Sequence, residues 1–171
     1  MTARGVFFAI DDTTLKSLRG TKGDPKRRRF IRDLEETIER EHKQDTDKAW
    51  RILQSICWAG HDFDYAEGLN RADFNLLSTL FYQAKMLHKA ERYIINWVPK
   101  NELASYIAIL DKVTEINLKQ RYEDMNNGLG HFQYALSDVQ FDYMYAWFLK
   151  IRTFIKQTYS QQLHLVFTVA N

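Results

Sequence analysis

The chain has 171 residues, of which 45% are hydrophobic, 27% are charged and 14% are aromatic. This length and composition predict one globular domain with a substantial core, and they exclude an intrinsically disordered chain. The formal net charge is only +2, because 24 lysines and arginines oppose 22 aspartates and glutamates. So small a surplus predicts no general affinity for the phosphate backbone of nucleic acids.

The cysteine content and the apolar runs indicate the compartment. Cys57 is the single cysteine of the sequence, so no intramolecular disulfide can form, which is typical of a reducing cytoplasm. The run Val6–Ile10 is too short for the core of a signal peptide. No stretch approaches the roughly 18 apolar residues of a transmembrane helix. We therefore expect a cytoplasmic protein that does not engage membranes.

Both ends of the chain have the composition of β-strands. Gly5–Ile10 and Leu163–Val169 are short and rich in β-branched and aromatic residues. We predict that they meet in one small mixed sheet, which closes the chain into a single compact α+β domain with helices packed on that sheet. The first of these helices begins near Leu15 and ends at Gly20.

Residues 22–33 form the one strongly biased segment of the sequence. Its cations are Lys22, Lys26, Arg27, Arg28, Arg29 and Arg32, and its acids are Asp24 and Asp33. One hypothesis is a patch that binds RNA or a small phosphate-bearing molecule. The other is a solvated helix whose charges are offset by the glutamates that follow. The helical spacing of Ile31, Leu34 and Ile38 favours the solvated helix.

The clearest helical pattern follows Asp45-Thr46-Asp47, which we predict as its N-terminal cap, and ends near Gly60. Its apolar stripe consists of Ala49, Trp50, Leu53, Ile56 and Cys57. Trp50 is therefore predicted to anchor the core, and Cys57 to pack there rather than to act as a nucleophile.

The pattern breaks down between His61 and Asn75, where we predict a loop. His61, Asp62 and Asp64 lie within four residues, but the other histidines are scattered without ligand spacing, so no metal site is predicted. A mixture of rings and charges is typical of partner-binding loops. The predicted contact residues are Asp62, Asp64, Tyr65, Glu67 and Arg71.

The second half of the chain alternates between helical and extended patterns. Residues 70–87 fit either a helix or a strand, whereas Tyr93–Val98 is predicted to be extended and Pro99 to begin a helix. A shorter helix follows, and residues 126–130 form a break. The last helix is long, and its stripe comprises Phe141, Met144, Trp147, Phe148, Ile151, Phe154 and Ile155. On the final strand, one face is predicted to carry Leu163, Leu165, Phe167 and Val169.

These segments together resemble the YfbM-like family, a bacterial domain of unknown function. The resemblance is carried by Gly5–Asp11, by the run Asp47–Trp50 followed by Leu53 and Gly60, by the Val98-Pro99 helix start, by Tyr122–Met125 and by the aromatic helix before the terminal strand. It covers nearly the whole chain. The resemblance implies a single α+β domain and supplies no catalytic residues.

The motifs of common enzyme classes are absent from the sequence. It contains no glycine-rich phosphate loop, no Gly-x-Ser-x-Gly elbow and no His-Glu-x-x-His. We therefore expect a protein without catalytic residues or cofactors that binds another protein, in its most specific form an immunity protein that neutralises a bacterial toxin. The alternatives are a carboxylate-based hydrolase and a small-molecule or RNA-binding module that uses residues 22–33.

Overall fold

A computed structural model of the protein describes residues 4–57, 68–81, 86–90, 93–125 and 138–170. Within these ranges the chain forms five strands and seven α-helices. The strands are β1 (Arg4–Ile10), β2 (Lys43–Asp47), β3 (Met86–Ala90), β4 (Tyr93–Val98) and β5 (His164–Ala170). The helices are α1 (Asp12–Gly20), α2 (Asp24–Thr37), α3 (Ala49–Cys57), α4 (Arg71–Ser78), α5 (Leu103–Leu110), α6 (Glu115–Asp124) and α7 (Asp138–Ser160).

The five described strands form one sheet in the order β2-β1-β5-β4-β3. The two terminal strands β1 and β5 lie side by side, with Arg4 opposite Ala170 and Ile10 opposite His164. The predicted α+β class and the shared sheet of the chain ends are thus confirmed. All pairings among the described strands are antiparallel, so in this part of the chain the sheet is antiparallel rather than mixed.

Helices cover both faces of the sheet. On one face Phe8, Val166 and Ile95 pack with Leu18 of α1 and Ile31 of α2. On the other face the side chains of the central strands meet those of α3 to α7, in a larger cluster that includes Phe7, Trp50, Phe81, Phe148, Leu165, Phe167 and Val169. The central strands are therefore buried on both sides, which explains why β1 is a nearly continuous apolar run.

The segment predicted as a helix cap is a strand instead. Asp45–Asp47 belongs to β2, and α3 begins only at Ala49. Tertiary contacts with β1 stabilise the extended conformation of this segment. Arg4 on β1 forms an ion pair with Asp45, and the Thr46 hydroxyl donates to the Gly5 carbonyl at 2.8 Å. The polar sequence of β2 has no alternation that could have signalled a strand.

The structure resolves one ambiguous prediction, that for residues 70–87, and corrects another, that for Pro99. The ambiguous residues 70–87 contain both α4, which Asn70 and Asp73 begin with a reciprocal capping box, and β3. The prediction that Pro99 begins a helix is wrong, because Pro99 opens a turn in which the Glu102 amide donates to the Pro99 carbonyl at 2.9 Å. The helix α5 then starts at Leu103.

The long final helix and the strand after it are confirmed, and Leu165, Phe167 and Val169 share one face of β5. The predicted breaks at Gly60 and at residues 126–130 lie outside the described ranges. In the part of the chain that is described, no helix is both long enough and apolar enough to span a lipid bilayer.

Candidate binding surface and pocket

Helix α2 presents a row of cations on the outside of the molecule. Lys26, Arg28, Arg29 and Arg32 are exposed, and we refer to these four residues as the basic face. The helix forms here because Pro25 occupies its first turn and Gly23 precedes it with a φ of 85°, a conformation that favours glycine. Its inward side is anchored on the sheet by Ile31.

Residues 22–33, which include the basic face, concentrate the positive charge of the protein. Six of the 24 cations but only two of the 22 acids lie in residues 22–33, which leaves 18 cations and 20 acids for the rest of the chain. The net charge of +2 therefore conceals a positive segment, residues 22–33, on an otherwise slightly acidic molecule. The surplus is confined to the first part of α2, because Glu35 and Glu36 near the end of the helix offset most of it. Such an asymmetry generates a local field that attracts acidic groups.

Packing and hydrogen bonds hold part of this segment in place. The Arg28 guanidinium lies 5.0 Å from the centre of the Tyr93 ring, and the Arg27 Nε donates to the Thr21 carbonyl at 2.9 Å. Burial raises the pKa of the Tyr93 hydroxyl, so the ring stays neutral beneath the cations. Arg29 pairs with Asp33 at 3.7 Å, and both of these side chains remain largely in solvent.

A cavity of about 580 Å³ opens at one end of the sheet, next to α1. At this point β1 and β4 end and β5 begins, because Ile10 lies opposite His164 and Val98 opposite Leu165. The residues that line it, which we call the sheet-end pocket, are Asp12, Leu15, Lys16, Arg19, Gly20, Trp97, Pro99 and His164.

His164 is buried at the base of the sheet-end pocket, and both of its ring nitrogens are engaged. The Lys100 backbone amide donates to Nδ1 at 3.1 Å. This acceptor role places the imidazole proton on Nε2, which donates to Asp12 Oδ1 at 2.8 Å. The ring is therefore neutral in this arrangement, and it has no nitrogen left to act as a general base.

The carboxylate of Asp12 is held between two donors. Its Oδ2 accepts from Lys100 Nζ at 2.6 Å, while its Oδ1 accepts from His164. These hydrogen bonds, that of Lys100 above all, keep the pKa of the Asp12 carboxyl below its usual range. Asp12 therefore stays ionised, and its charge is compensated within the cluster.

Another part of the pocket lining combines a ring with a cation. The Arg19 guanidinium lies 5.1 Å from the centre of the Trp97 ring, and the His164 ring meets Trp97 edge-on at 6.2 Å. This cation–π contact places the positive charge of Arg19 next to the Trp97 indole.

Sequence reasoning missed this pocket. In the sequence His164 is one of several scattered histidines, and its partner Asp12 is 152 positions away in the chain. No local motif links the two residues, since only the pairing of β1 with β5 brings them together.

Cys57 lies in the core, as predicted. Its side chain is buried in the larger hydrophobic cluster, and burial raises the pKa of the thiol to about 12. The positive charge of Arg121 opposes this shift to a smaller extent. A thiol in this environment is protonated at neutral pH and does not serve as a nucleophile.

Four of the five residues predicted to contact a partner lie outside the described ranges, namely Asp62, Asp64, Tyr65 and Glu67. The fifth, Arg71, is exposed at the first position of α4. This helix packs on the sheet face opposite α2, so Arg71 and the basic face belong to different layers. In the described ranges, no three His, Cys, Asp or Glu side chains are placed to hold a metal ion.

Over residues 1–168 the chain matches a family model described as a domain of unknown function, DUF1877. The chain belongs to this family. Among solved structures it is similar to YfbM from Escherichia coli, described as a protein of unknown function, with a TM-score of 0.67 and 18% sequence identity. The likeness covers 98% of this chain and 99% of that one. It confirms the YfbM-like resemblance and shows a shared fold.

A further similarity is partial. Over 92 residues the chain is 30% identical to valine–tRNA ligases from Brucella suis and Brucella melitensis. The match covers 54% of this chain but only 9% of each ligase. The chain thus corresponds to less than a tenth of the length of these curated relatives, and the activity of a whole ligase does not carry over to it.

Proposed function

We propose that the protein is a non-enzymatic, intracellular protein-binding domain whose basic face docks onto an acidic surface of its partner. In its most specific form the partner is a bacterial toxin and the protein is an immunity protein. The observation that carries the proposal is the charge asymmetry, since residues 22–33 hold six cations and two acids while the rest of the chain holds 18 cations and 20 acids. Complementary charge of this kind speeds association and selects partners.

An acidic protein fits the basic face better than RNA does. Single-stranded RNA is usually held by exposed rings on which its bases stack. The ring beneath the basic face is Tyr93, which is only 4% exposed and lies under the Arg28 guanidinium. Among the described residues, the large hydrophobic side chains that are exposed are Ile116 and Tyr159, and neither lies on α2.

Two observations support binding rather than catalysis. Both nitrogens of His164 are occupied, and the thiol of Cys57 is buried with its pKa raised to about 12. These are groups that could serve as base or nucleophile in a hydrolase, and neither is available in this arrangement.

The test compares two double charge-reversal variants as baits for capture from lysate. Arg29→Glu with Arg32→Glu reverses the basic face, and Lys48→Glu with Lys112→Glu makes the same change in charge at exposed positions elsewhere. Captured proteins are identified by mass spectrometry, and the binding of each purified partner is then measured. Thermal unfolding of both variants establishes that they remain folded.

We expect an acidic protein that binds the wild type and the Lys48/Lys112 variant but is lost from the Arg29/Arg32 variant. A captured toxin whose activity the protein blocks would support the immunity form. Equal binding of the partner to both variants would contradict the basic face and favour the loop that contains Asp62 and Tyr65. Recovery of nuclease-sensitive material alone would contradict protein binding and favour RNA.

A further inference from the structure

We propose that the sheet-end pocket binds a small organic anion, namely a carboxylate or phosphate ester that carries a flat apolar group. This site is separate from the basic face and goes beyond the protein-binding proposal. A volume of about 580 Å³ is suitable for such a ligand, since small-molecule sites commonly enclose about 300 to 1,000 Å³.

The apolar part of the ligand matches one side of the pocket. Leu15, Trp97 and Pro99 contribute to its lining, and Trp97 is half-buried, so that part of its indole remains accessible. Flat groups pack well against such a surface because they remove apolar area from water on both sides of the contact.

The charged part of the ligand matches the cations. Lys16 and Arg19 line the pocket and are exposed, while the one acid in the lining, Asp12, is compensated by Lys100 Nζ at 2.6 Å. Without Lys100 to compensate its charge, an ionised Asp12 would repel an anionic ligand. With Lys100 and the neighbouring Asp11 counted, three cations face two carboxylates, and the charge at this end of the sheet is positive by one.

Arg19 is prepared for this role by its contact with Trp97. Because the guanidinium already lies on the indole, less side-chain entropy is lost when its N–H groups engage a carboxylate or phosphate. The fork of donors suits two oxygens of the same anionic group. The pocket thus offers a cation and a ring next to each other, which is the pairing that a small aromatic anion requires.

His164 makes the pocket a binding site rather than a reaction site. It fixes Asp12 through Nε2 and the turn after Pro99 through Nδ1, so its contribution is to shape the wall. No proton transfer to a ligand is needed or proposed.

The test titrates the purified protein with four probes: benzoate, phenyl phosphate, inorganic phosphate and the neutral benzyl alcohol. The readout is the indole N–H signal of Trp97 in ¹⁵N-labelled protein, assigned by its absence from the Trp97→Phe variant. Arg19→Gln removes the proposed anion contact, and Lys112→Gln removes a positive charge from an exposed position that does not line the pocket.

We expect saturable shifts of the Trp97 signal with benzoate or phenyl phosphate and at least about tenfold weaker binding of benzyl alcohol. Inorganic phosphate, which lacks the ring, is expected to bind more weakly than phenyl phosphate. Arg19→Gln should weaken the anions by about tenfold, while Lys112→Gln leaves them unchanged. The proposal is overturned if no probe gives a saturable shift, if benzyl alcohol binds as tightly as benzoate, or if the two variants behave alike. Tighter binding of benzoate would indicate a carboxylate site, and tighter binding of phenyl phosphate would indicate a phosphate site.

Discussion

The substitution Gly5→Ala tests the central packing of the fold. Gly5 lies near the start of β1, opposite Val169 of β5 and Asp47 of β2. A Cβ atom at this position would approach Thr46 Oγ1 to 2.5 Å, Trp50 Cδ1 to 2.8 Å and Phe167 Cε2 to 2.9 Å. Two of these neighbours are buried aromatic rings, and the third belongs to a buried residue.

The magnitude follows from what has to move. Overpacking a rigid core costs about 1 to 3 kcal/mol. The Thr46 hydroxyl also donates to the Gly5 carbonyl at 2.8 Å, and displacing it sacrifices a buried hydrogen bond worth about 1 kcal/mol. We therefore expect Gly5→Ala to lower the free energy of unfolding by about 2 to 4 kcal/mol. For a domain of this size, that corresponds to a fall in Tm of about 5 to 15 °C.

The assay is urea unfolding followed by circular dichroism, with Gly20→Ala as the matched control. Gly20 ends α1, and a Cβ atom there meets nothing within 4 Å. Because alanine favours the helix, the control should be neutral or stabilise by up to about 1 kcal/mol. If Gly5→Ala were as stable as Gly20→Ala, the close packing of β1, β2 and α3 around Gly5 would be refuted.

Three further predictions concern single side chains. Trp50→Ala should lower the free energy of unfolding by about 3 to 5 kcal/mol, because Trp50 is buried edge-on to Phe167; a loss under about 1 kcal/mol in urea unfolding would contradict the core assignment. Cys57 should resist a thiol reagent at pH 8 and react once urea unfolds the chain, since burial raises its pKa to about 12; rapid labelling of the folded protein would contradict this. The pKa of the Asp12 carboxyl, measured by ¹³C NMR, should lie below its usual range, and its native contacts should weaken only as the pH falls through that lowered pKa. Lys100→Gln should raise the pKa of Asp12, because it removes the donor at 2.6 Å. An unchanged Asp12 pKa in this variant would contradict the Lys100 contact.

The pattern of apolar residues predicted most of the architecture. Strands β1, β4 and β5 and the stripe of α7 could be recognised because burial imposes a period on their sequences. The same reasoning failed at β2, whose residues are polar and whose conformation depends on contacts with Arg4 and Gly5 far away in the chain. Edge strands of this kind leave little trace in the local pattern.

The candidate sites were less accessible from sequence. The cations of residues 22–33 are visible in the sequence, but the outer position of α2 and the contact of Arg28 with Tyr93 depend on the fold. The sheet-end pocket could not be predicted, since His164, Asp12 and Trp97 come from three separate elements that only the sheet register brings together.

The most direct test of the account is the association rate of the protein with its captured partner, measured as a function of ionic strength. If the basic face steers an acidic partner, the wild-type association rate constant should fall steeply between about 0.05 M and about 0.5 M salt. The Arg29→Glu/Arg32→Glu variant should associate slowly at low salt and depend on salt much less, while Lys48→Glu/Lys112→Glu should follow the wild type. Parallel salt dependence in the wild type and the Arg29/Arg32 variant would contradict the proposed role of the basic face.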